Sequence, residues 1–365
     1  MTDETQVRAA LAGVEEPELR LSMADLGMVK GIAIDGDTAV VAVALPLSGD
    51  ARAEAIHERV AAAVLAATDL ARVEVDLRAM TPEEQVACAR VLRHEPPPNP
   101  LAIIDANAPA RAAPRVNPFT DARTRILAIA SGKGGVGKSS VTTNLSIALA
   151  QRGRRVAAVD ADVWGFSMPR MLGVRTPPDL IDEMIVPPRA NGVQLISMGY
   201  FASEEQAVIW RGPMLHKALE QFLTDVYWGD PDYLVIDMPP GTGDVSLSMA
   251  QFLPRAEVVI VTTPQPAAQR VAQRAAAMAE KVNLDVTGVI ENMSWFTGDD
   301  GKRYELFGAG GGRELADRLG VPLLGQIPLV PALREGGDDG APIVVAHPDD
   351  EAARVFRTIA ETVDA

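Results

Sequence analysis

Two different hydrophobic patterns divide the chain into an N-terminal and a C-terminal part. In the N-terminal part, Asp35-Gly36-Asp37 separates two runs rich in β-branched residues, and Asp-Gly between such runs predicts a β-hairpin. The predicted elements are strands at 29–34 and 39–45, a helix at 50–67, a strand at 73–77 and a helix at 81–92. They indicate a small α+β domain over residues 1–93.

The C-terminal part alternates short, uncharged apolar runs with segments of helical spacing. The predicted strands lie at 126–130, 155–159, 234–236, 258–262, 286–290 and 323–327, with helices such as 138–151 and 267–281 between them. Uncharged strands are typical of a parallel sheet that helices cover on both faces. We therefore expect an α/β fold over residues 125–365, with a doubly wound, mostly parallel sheet.

Proline is concentrated in residues 94–124, between these two parts. Proline removes a backbone donor and does not fit the interior of a helix, so this segment predicts a semi-extended linker. A loop packed on one of the two domains is the alternative.

The charge balance narrows the classes of partner. The 365 residues carry a formal net charge of −15, whereas non-specific nucleic-acid binding and binding to anionic membranes rely on positive charge. No apolar run approaches the roughly 20 residues of a membrane-spanning helix, and the N-terminal residues lack the pattern of a secretory signal. We therefore expect a cytoplasmic protein without nucleic-acid or membrane partners.

Residues 132–139 match the phosphate-loop pattern G-x-x-x-x-G-K-[ST], between a predicted strand and a predicted helix. Glycines let backbone N–H groups surround a phosphate, and the helix N-terminus adds partial positive charge. We expect Lys138 to bridge the β- and γ-phosphates of ATP and Ser139 to ligate Mg²⁺. The predicted nucleotide-binding residues of this loop are Gly132, Lys133, Gly134, Gly135, Val136, Gly137, Lys138, Ser139 and Ser140.

Polar residues follow three of the later apolar strands. Asp160 and Asp162 end the strand after the loop, where carboxylates can orient an attacking water or the waters around Mg²⁺. Asp237 ends another apolar strand and is predicted to contact Mg²⁺ through water, and Gly241 can donate its N–H to the γ-phosphate. For each cluster alone, a helix cap or a solvated turn is the alternative. The amide of Asn292 can satisfy adenine N6 and N7, whereas a turn-forming asparagine is the alternative.

Several segments resemble one family of ATPases. The loop sequence at 133–139 resembles the deviant phosphate loop of the MinD, ParA and nitrogenase-iron-protein class. Residues 160–173, 210–214 and 291–294 resemble the Mrp/ApbC family of P-loop ATPases, which are regarded as iron–sulfur cluster carriers. The N-terminal segments 16–19 and 25–29 resemble the small domain that is found in cluster-targeting proteins and is often fused to these ATPases.

The resemblance implies a homodimer that binds ATP and hydrolyses it slowly, in the assembly or transfer of iron–sulfur clusters to apo-proteins. It implies that Lys133 reaches across the dimer to the partner's nucleotide, whereas the residue type alone also fits a solvated side chain. It implies that Asp162 holds the attacking water and that Asp160 binds the waters around Mg²⁺. It also places the adenine on Asn292. Lys133, Lys138 and Asp162 are then the catalytic residues, and Ser139, Asp160 and Asp237 form the Mg²⁺ site.

The chain departs from the family at its cysteines. The family usually carries Cys-x-x-Cys after the Asn-Met-Ser segment, but residues 293–301 contain no cysteine, and residues 48–50 lack the cysteine frequent in the N-terminal domain. Cys88 is the single cysteine, so no iron–sulfur ligands can be assigned and an intramolecular disulfide is excluded. We therefore keep two alternatives, which are an ATP-dependent scaffold without a cluster and a MinD/ParA-like positioning ATPase.

Overall fold

A computed structural model describes residues 2–47, 49–95, 117–120, 123–163, 165–201, 212–241 and 244–365. The helices are α1 Glu4–Leu11, α2 Asp50–Ala67, α3 Pro82–Leu92, α4 Lys138–Gln151, α5 Met168–Leu172, α6 Gly212–Thr224, α7 Asp244–Phe252, α8 Pro266–Lys281, α9 Gly311–Leu319, α10 Pro331–Asp339, α11 Ile343–Ala346 and α12 Glu351–Asp364, with a 3-10 helix at Met198–Tyr200. The strands are β1 Val29–Asp35, β2 Thr38–Leu45, β3 Arg72–Ala79, β4 Arg125–Ser131, β5 Val156–Asp160, β6 Asp179–Ile181, β7 Met184–Val186, β8 Arg189–Ala190, β9 Val193–Ser197, β10 Tyr233–Asp237, β11 Glu257–Thr262, β12 Asp285–Glu291, β13 Phe296–Thr297, β14 Arg303–Tyr304 and β15 Leu323–Gln326.

The described residues form two compact units. The first unit holds the N-terminal residues up to Glu95 together with the hairpin Asp179–Val186, and the second holds the other described residues. The predicted domain boundaries at 93 and 125 stay a prediction, because residues 96–116 and 121–122 of the predicted linker lie outside the described residues.

The first unit contains a three-stranded sheet in the order β1-β2-β3. The pair β1/β2 is antiparallel and the pair β2/β3 is parallel, and the predicted hairpin turns at Gly36, where φ is 62°. Val41 and Val43 of β2 and Val60 of α2 are fully buried, which places the core on one face of the sheet. Helix α1 was not predicted; Asp3 begins it, and its side chain accepts a hydrogen bond from the backbone N–H of Gln6 at 2.9 Å.

The second unit contains an eight-stranded sheet in the order β15-β12-β11-β4-β10-β5-β9-β8. All neighbouring strands are parallel except β8, which pairs antiparallel with β9. This arrangement confirms the predicted α/β fold. Strand β9 was missed, although Val193-Gln-Leu-Ile-Ser197 is an apolar run that follows the turn Asn191-Gly192.

The sheet brings the chemically important strand ends together. In the parallel register, Asp237 at the end of β10 lies opposite Asp160 at the end of β5 and opposite Ile129 of β4. Because β4 leads directly into the glycine loop, that loop and both carboxylates lie at the same edge of the sheet. The helix that follows the loop, α4, is buried from Val141 to Leu149. Among the described helices, none combines the length and apolar character needed to cross a bilayer.

The end of the predicted linker packs on the second unit. Asn117 donates a side-chain hydrogen bond to the carbonyl of Phe252 at 2.8 Å. Phe119 is only 2% exposed, and its ring meets the ring of Trp228 edge-on at 6.0 Å between centroids. Residues 117–120 therefore pack on the second unit. This agrees, for these four residues, with the alternative of a loop packed on one domain.

The carboxylate of Asp364 connects the end of α12 to the segment between α4 and β5 and to the first residue of β10. It accepts hydrogen bonds from Arg154 Nε at 2.7 Å, from Arg152 Nε at 3.0 Å and from the Tyr233 hydroxyl at 3.0 Å. Its side chain is 4% exposed. Burial by itself raises the pKa of a carboxyl, but these three donors outweigh it and hold the pKa of Asp364 below its usual range.

We expect Asp364→Asn to lower the free energy of unfolding by about 1 kcal/mol at pH 7, since both arginines are partly exposed and solvent screens the pairs. A carboxyl whose pKa is lower in the folded state than in the unfolded state stabilises the fold at pH values above its unfolded pKa. This stabilisation is lost as the pH falls through the folded pKa. The difference from wild type should therefore shrink below about pH 4, as measured by urea unfolding between pH 3 and pH 7. Glu361→Gln is the control, because Glu361 is 62% exposed and lies 3.8 Å from Arg152; an equal loss in both variants would contradict the assignment.

Candidate functional site

The glycine loop between β4 and α4 has the backbone that phosphate binding requires. Gly135 and Gly137 both have φ of 80°, a left-handed conformation that residues with a Cβ rarely adopt. The Ser131 hydroxyl donates to the carbonyl of Lys133 at 3.0 Å, which fixes the first half of the loop. The side chain of Lys133 is exposed, whereas Val136 is buried beneath the loop. The predicted loop thus forms a turn with two left-handed glycines, and its binding of phosphate stays a prediction.

Lys138 and Ser139 meet at a single carboxylate, Asp237. The Nζ atom of Lys138 lies 2.7 Å from Asp237 Oδ1, and the Ser139 hydroxyl donates to Asp237 Oδ2 at 2.6 Å. The hydroxyl of Thr142, one helical turn further on, also donates to Asp237 Oδ1 at 2.7 Å. Asp237 is fully buried, so these two hydroxyl donors and the ammonium group replace the water that would otherwise solvate its carboxylate.

A cavity of about 370 Å³ opens beside these residues. It is lined by Ser131, Lys133, Gly134, Gly135, Gly137, Lys138, Ser139, Ser140, Asp162, Gly165, Ser167, Met171 and Pro240. Asp162 thus reaches the cavity, and its Oδ2 lies 3.8 Å from Lys138 Nζ. The ammonium of Lys138, which is 6% exposed, is placed between two carboxylates at the cavity wall.

Asp160 is fully buried, and its carboxylate is hydrogen-bonded by groups of the protein. One carboxylate oxygen accepts hydrogen bonds from the Ser197 hydroxyl at 3.0 Å and from the backbone N–H groups of Ser167 and Met168 at 3.1 and 3.2 Å. Burial, and after it the charge of the nearby Asp237 carboxylate, raises the pKa of Asp160 well above its usual range, although the hydrogen bonds oppose the rise. Asp160 therefore anchors the segment after β5, and its predicted role in the water shell of Mg²⁺ stays a prediction.

Gly241 and Asn292 lie against the glycine loop. The backbone N–H of Gly241, where φ is 94°, donates to the carbonyl of Ser131 at 2.9 Å. The side-chain nitrogen of Asn292 donates to the carbonyl of Val136 at 2.9 Å. The structure thus brings both predicted residues to the site, but their hydrogen bonds go to the loop backbone. Their contacts with γ-phosphate and adenine stay predictions.

Sequence reasoning missed the cavity-lining residues Ser131, Gly165, Ser167, Met171 and Pro240, and it missed two hydroxyl groups that bind the carboxylates of the site. Thr142 carried a signal, since residues four positions apart share one face of a helix and Lys138 begins α4. Ser197 carried none, because the contact with Asp160 depends on β9 lying beside β5 in the sheet.

The donor set at Asp237 fits Mg²⁺. Serine hydroxyl and carboxylate oxygens are hard ligands, and Mg²⁺ is usually held by one or two such groups while phosphates and waters complete the octahedron. Ser139 Oγ and Asp237 Oδ2 supply this pair 2.6 Å apart, next to the cavity. In the described part of the chain, no three His, Cys, Asp or Glu side chains form a metal site by themselves.

The single cysteine does not fit an iron–sulfur cluster. Cys88 lies on α3 in the first unit and is 1% exposed. Burial, with a smaller contribution from the charge of Glu16, raises the pKa of its thiol to about 11. Clusters bind thiolates, and four are usual. A buried, protonated thiol at one position does not supply them.

The hairpin β13–β14 occupies the sequence position where the family usually has its cysteine pair. Asp300 closes the turn by accepting hydrogen bonds from the backbone N–H of Lys302 at 3.1 Å and from the Tyr304 hydroxyl at 2.9 Å. These two donors, and to a smaller extent a hydrogen bond from the Lys302 side chain, hold the pKa of Asp300 below its usual range. The turn is thus closed by its own side chains.

Two family profiles match separate parts of the chain. One, described as an iron-sulfur cluster assembly protein, matches residues 4–77, and the other, described as a NUBPL iron-transfer P-loop NTPase, matches residues 122–364. The iron-sulfur cluster carrier protein of Mycobacterium tuberculosis (strain ATCC 25618 / H37Rv) is 45% identical over 364 residues, which cover 97% of this chain and 91% of the relative. The protein of that name from Bacillus subtilis (strain 168) is 38% identical over 369 residues, which cover 100% of this chain and 98% of the relative.

Solved structures resemble about two thirds of the chain. A nucleotide-binding protein from Archaeoglobus fulgidus in complex with ADP is 33% identical with a TM-score of 0.55, and the match covers 64% of this chain and 91% of that one. The septum site-determining protein MinD from Pyrococcus horikoshii OT3, complexed with Mg-ADP, is 28% identical with a TM-score of 0.52, over 66% and 96% of the two chains. With the family matches, these confirm the resemblance to the Mrp/ApbC ATPases: the chain belongs to the family of NUBPL-type iron-transfer P-loop NTPases.

Proposed function

We propose that the chain binds ATP with Mg²⁺ as a homodimer and hydrolyses it slowly, in the service of iron–sulfur cluster transfer to apo-proteins. The observation that carries the proposal is the contact of Lys138 and Ser139 with one buried carboxylate, Asp237, beside the cavity lined by the glycine loop. The relatives named iron-sulfur cluster carrier proteins support the choice of cargo.

The polar residues at this edge have separate roles in the proposed reaction. Lys138 donates to the β- and γ-phosphate oxygens, and Ser139 and Asp237 hold Mg²⁺, the latter through water. Bound Mg²⁺ supplies positive charge that offsets the charge on the phosphates. Asp162 lines the cavity, 3.8 Å from the ammonium of Lys138, and orients the attacking water.

The proposed dimer follows from Lys133. Its side chain is exposed at the rim of the cavity, where it can contact the nucleotide of a second subunit. Two subunits facing each other would then complete both sites by symmetry. Hydrolysis removes the contacts to the γ-phosphate, so the subunits separate and the nucleotide acts as a switch.

The cluster is cargo in this proposal, and its thiolate ligands come from the proteins that donate and receive it. Buried Cys88 supports this division of labour, because a protonated thiol at a single position cannot replace four thiolates. The chain then contributes the ATP-driven association of donor and recipient.

Anaerobic transfer from a loaded thiol-bearing donor to an apo-ferredoxin tests the function. We expect Mg-ATP to increase the transfer rate and to shift the chain to a dimer in sedimentation velocity, while Mg-ADP does neither. A chain that binds no Mg-ATP would contradict the nucleotide assignment, and an unchanged transfer rate despite dimer formation would contradict the cargo.

Reconstitution with iron and sulfide, on wild type and Cys88→Ser in parallel, tests the ligand source. We expect neither protein to retain a cluster after desalting. About four irons per dimer in wild type that are lost in Cys88→Ser would show that the chain supplies its own thiolate.

The positioning alternative finds less support. A MinD-like membrane function depends on an amphipathic helix with a free apolar face. In α12 the apolar residues Phe356 and Ile359 are fully buried in the core of the second unit. Co-sedimentation with anionic vesicles in Mg-ATP would detect that function directly.

A further inference from the structure

Asn292 holds a position that base recognition alone does not explain. It follows β12, and its backbone N–H donates to the carbonyl of Thr262 at the end of β11 at 2.8 Å. Its side chain is buried, with 3% of the residue exposed. Strands β11 and β12 therefore fix the position of Asn292. Because its side-chain amide is buried, the amide can contact only the groups that pack against it.

That amide packs on the last peptide of the glycine loop. The Nδ2 atom of Asn292 donates to the carbonyl of Val136 at 2.9 Å. A Cβ atom built on Gly137 would lie 2.2 Å from the same nitrogen. The contact is thus made at the point where the loop turns into α4, one residue before Lys138.

The direction of this hydrogen bond matters for phosphate binding. In a trans peptide the carbonyl and the N–H point in opposite directions, so the Val136 carbonyl held by Asn292 turns the Gly137 N–H away from Asn292. Gly137 lines the cavity and Asn292 does not. A carbonyl that turned towards the cavity would face the phosphate with negative charge where a donor is needed.

We propose that Asn292 is a positioning residue for the phosphate loop, which keeps the Val136–Gly137 peptide oriented so that its N–H can bind the triphosphate. The inference rests on the proposed function, since it assumes that the loop binds a nucleotide. It assigns Asn292 to phosphate affinity rather than to the base. The Oδ1 atom has no hydrogen-bond partner among the described residues, so the contact of Nδ2 with the loop is the amide's described hydrogen bond.

Inorganic tripolyphosphate separates the two roles, because it carries the phosphate chain without the base. We expect Asn292→Ala to weaken the binding of Mg-ATP and of magnesium tripolyphosphate by a similar factor, about tenfold, in isothermal titration calorimetry. Weaker ATP binding with unchanged tripolyphosphate binding would overturn the proposal in favour of base contact.

Asn292→Asp is the second variant, nearly isosteric with the wild-type residue. It keeps acceptor oxygens but loses the N–H, so we expect it to lower tripolyphosphate affinity at least as much as alanine does. Retained affinity in the Asp variant would refute the role of the N–H donor. Thermal unfolding without ligand distinguishes a local effect from a damaged fold. If wild type binds neither ligand, the proposed function fails, not the role of Asn292 alone.

Discussion

Lys138→Ala is expected to lower kcat/KM for ATP hydrolysis by about 10³-fold, because the variant lacks the cation that offsets charge on the β- and γ-phosphates in the transition state. The structure adds a second effect. Asp237 is fully buried 2.7 Å from Lys138 Nζ, and Asp160 lies beside it in register. Without the ammonium, two neighbouring carboxylates lose their nearest positive charge, so we also expect lower thermal stability.

Lys138→Gln separates these effects. Its amide can still donate a hydrogen bond to Asp237, so we expect most of the stability to return while hydrolysis stays as low as in Lys138→Ala. Phosphate release at saturating and subsaturating ATP, together with thermal unfolding of both variants, measures this. Hydrolysis at the wild-type rate in Lys138→Gln would contradict the catalytic role of the charge.

Gly132→Ala is expected to cause the largest loss of stability of any substitution in the glycine loop, about 3 kcal/mol. A Cβ at this position would lie 2.2 Å from the carbonyl carbon of Val271 and 2.4 Å from the amide nitrogen of Ala272, both in the backbone of α8. A helix backbone cannot rotate away as a side chain can. The loop and α8 would have to move apart.

The matched control is Gly134→Ala, in the same loop. Among the described residues no heavy atom lies within 4 Å of the Cβ built there, and φ at Gly134 is not in the left-handed region. We expect its free energy of unfolding to stay within about 0.5 kcal/mol of wild type. Urea denaturation of the two variants side by side measures the difference. Equal stability would show that α8 yields to the added methyl group.

The fold and the phosphate loop could be predicted because their signals are local. Eight consecutive residues, 132–139, carry the loop pattern, and short apolar runs carry the parallel sheet. Asp237 could be located for the same reason, since it ends a buried strand. The register of the sheet then brings it to Lys138 without further information from the sequence.

The long-range hydrogen bonds of the polar groups in the site could not be predicted. Asn292 and Val136 are 156 positions apart, and only the pairing of β11 with both β4 and β12 brings them together. Asp160 accepts hydrogen bonds from the backbone N–H groups of residues 167 and 168 and from the Ser197 hydroxyl, partners that the sequence did not indicate, while its role at the metal stays a prediction. The sequence pattern of an aspartate at the end of a strand does not show whether the protein or water donates hydrogen bonds to its carboxylate.

The burial of α4 has a consequence for where motion can occur during an ATP cycle. Residues 141–149 are covered on all sides, so tilting the helix would require repacking much of the core of the second unit. Lys138 and Ser139, the first two residues of α4, are therefore expected to keep their positions. A spectroscopic reporter at the exposed Gln151, the last residue of α4, is then expected to keep its position when a γ-phosphate is lost.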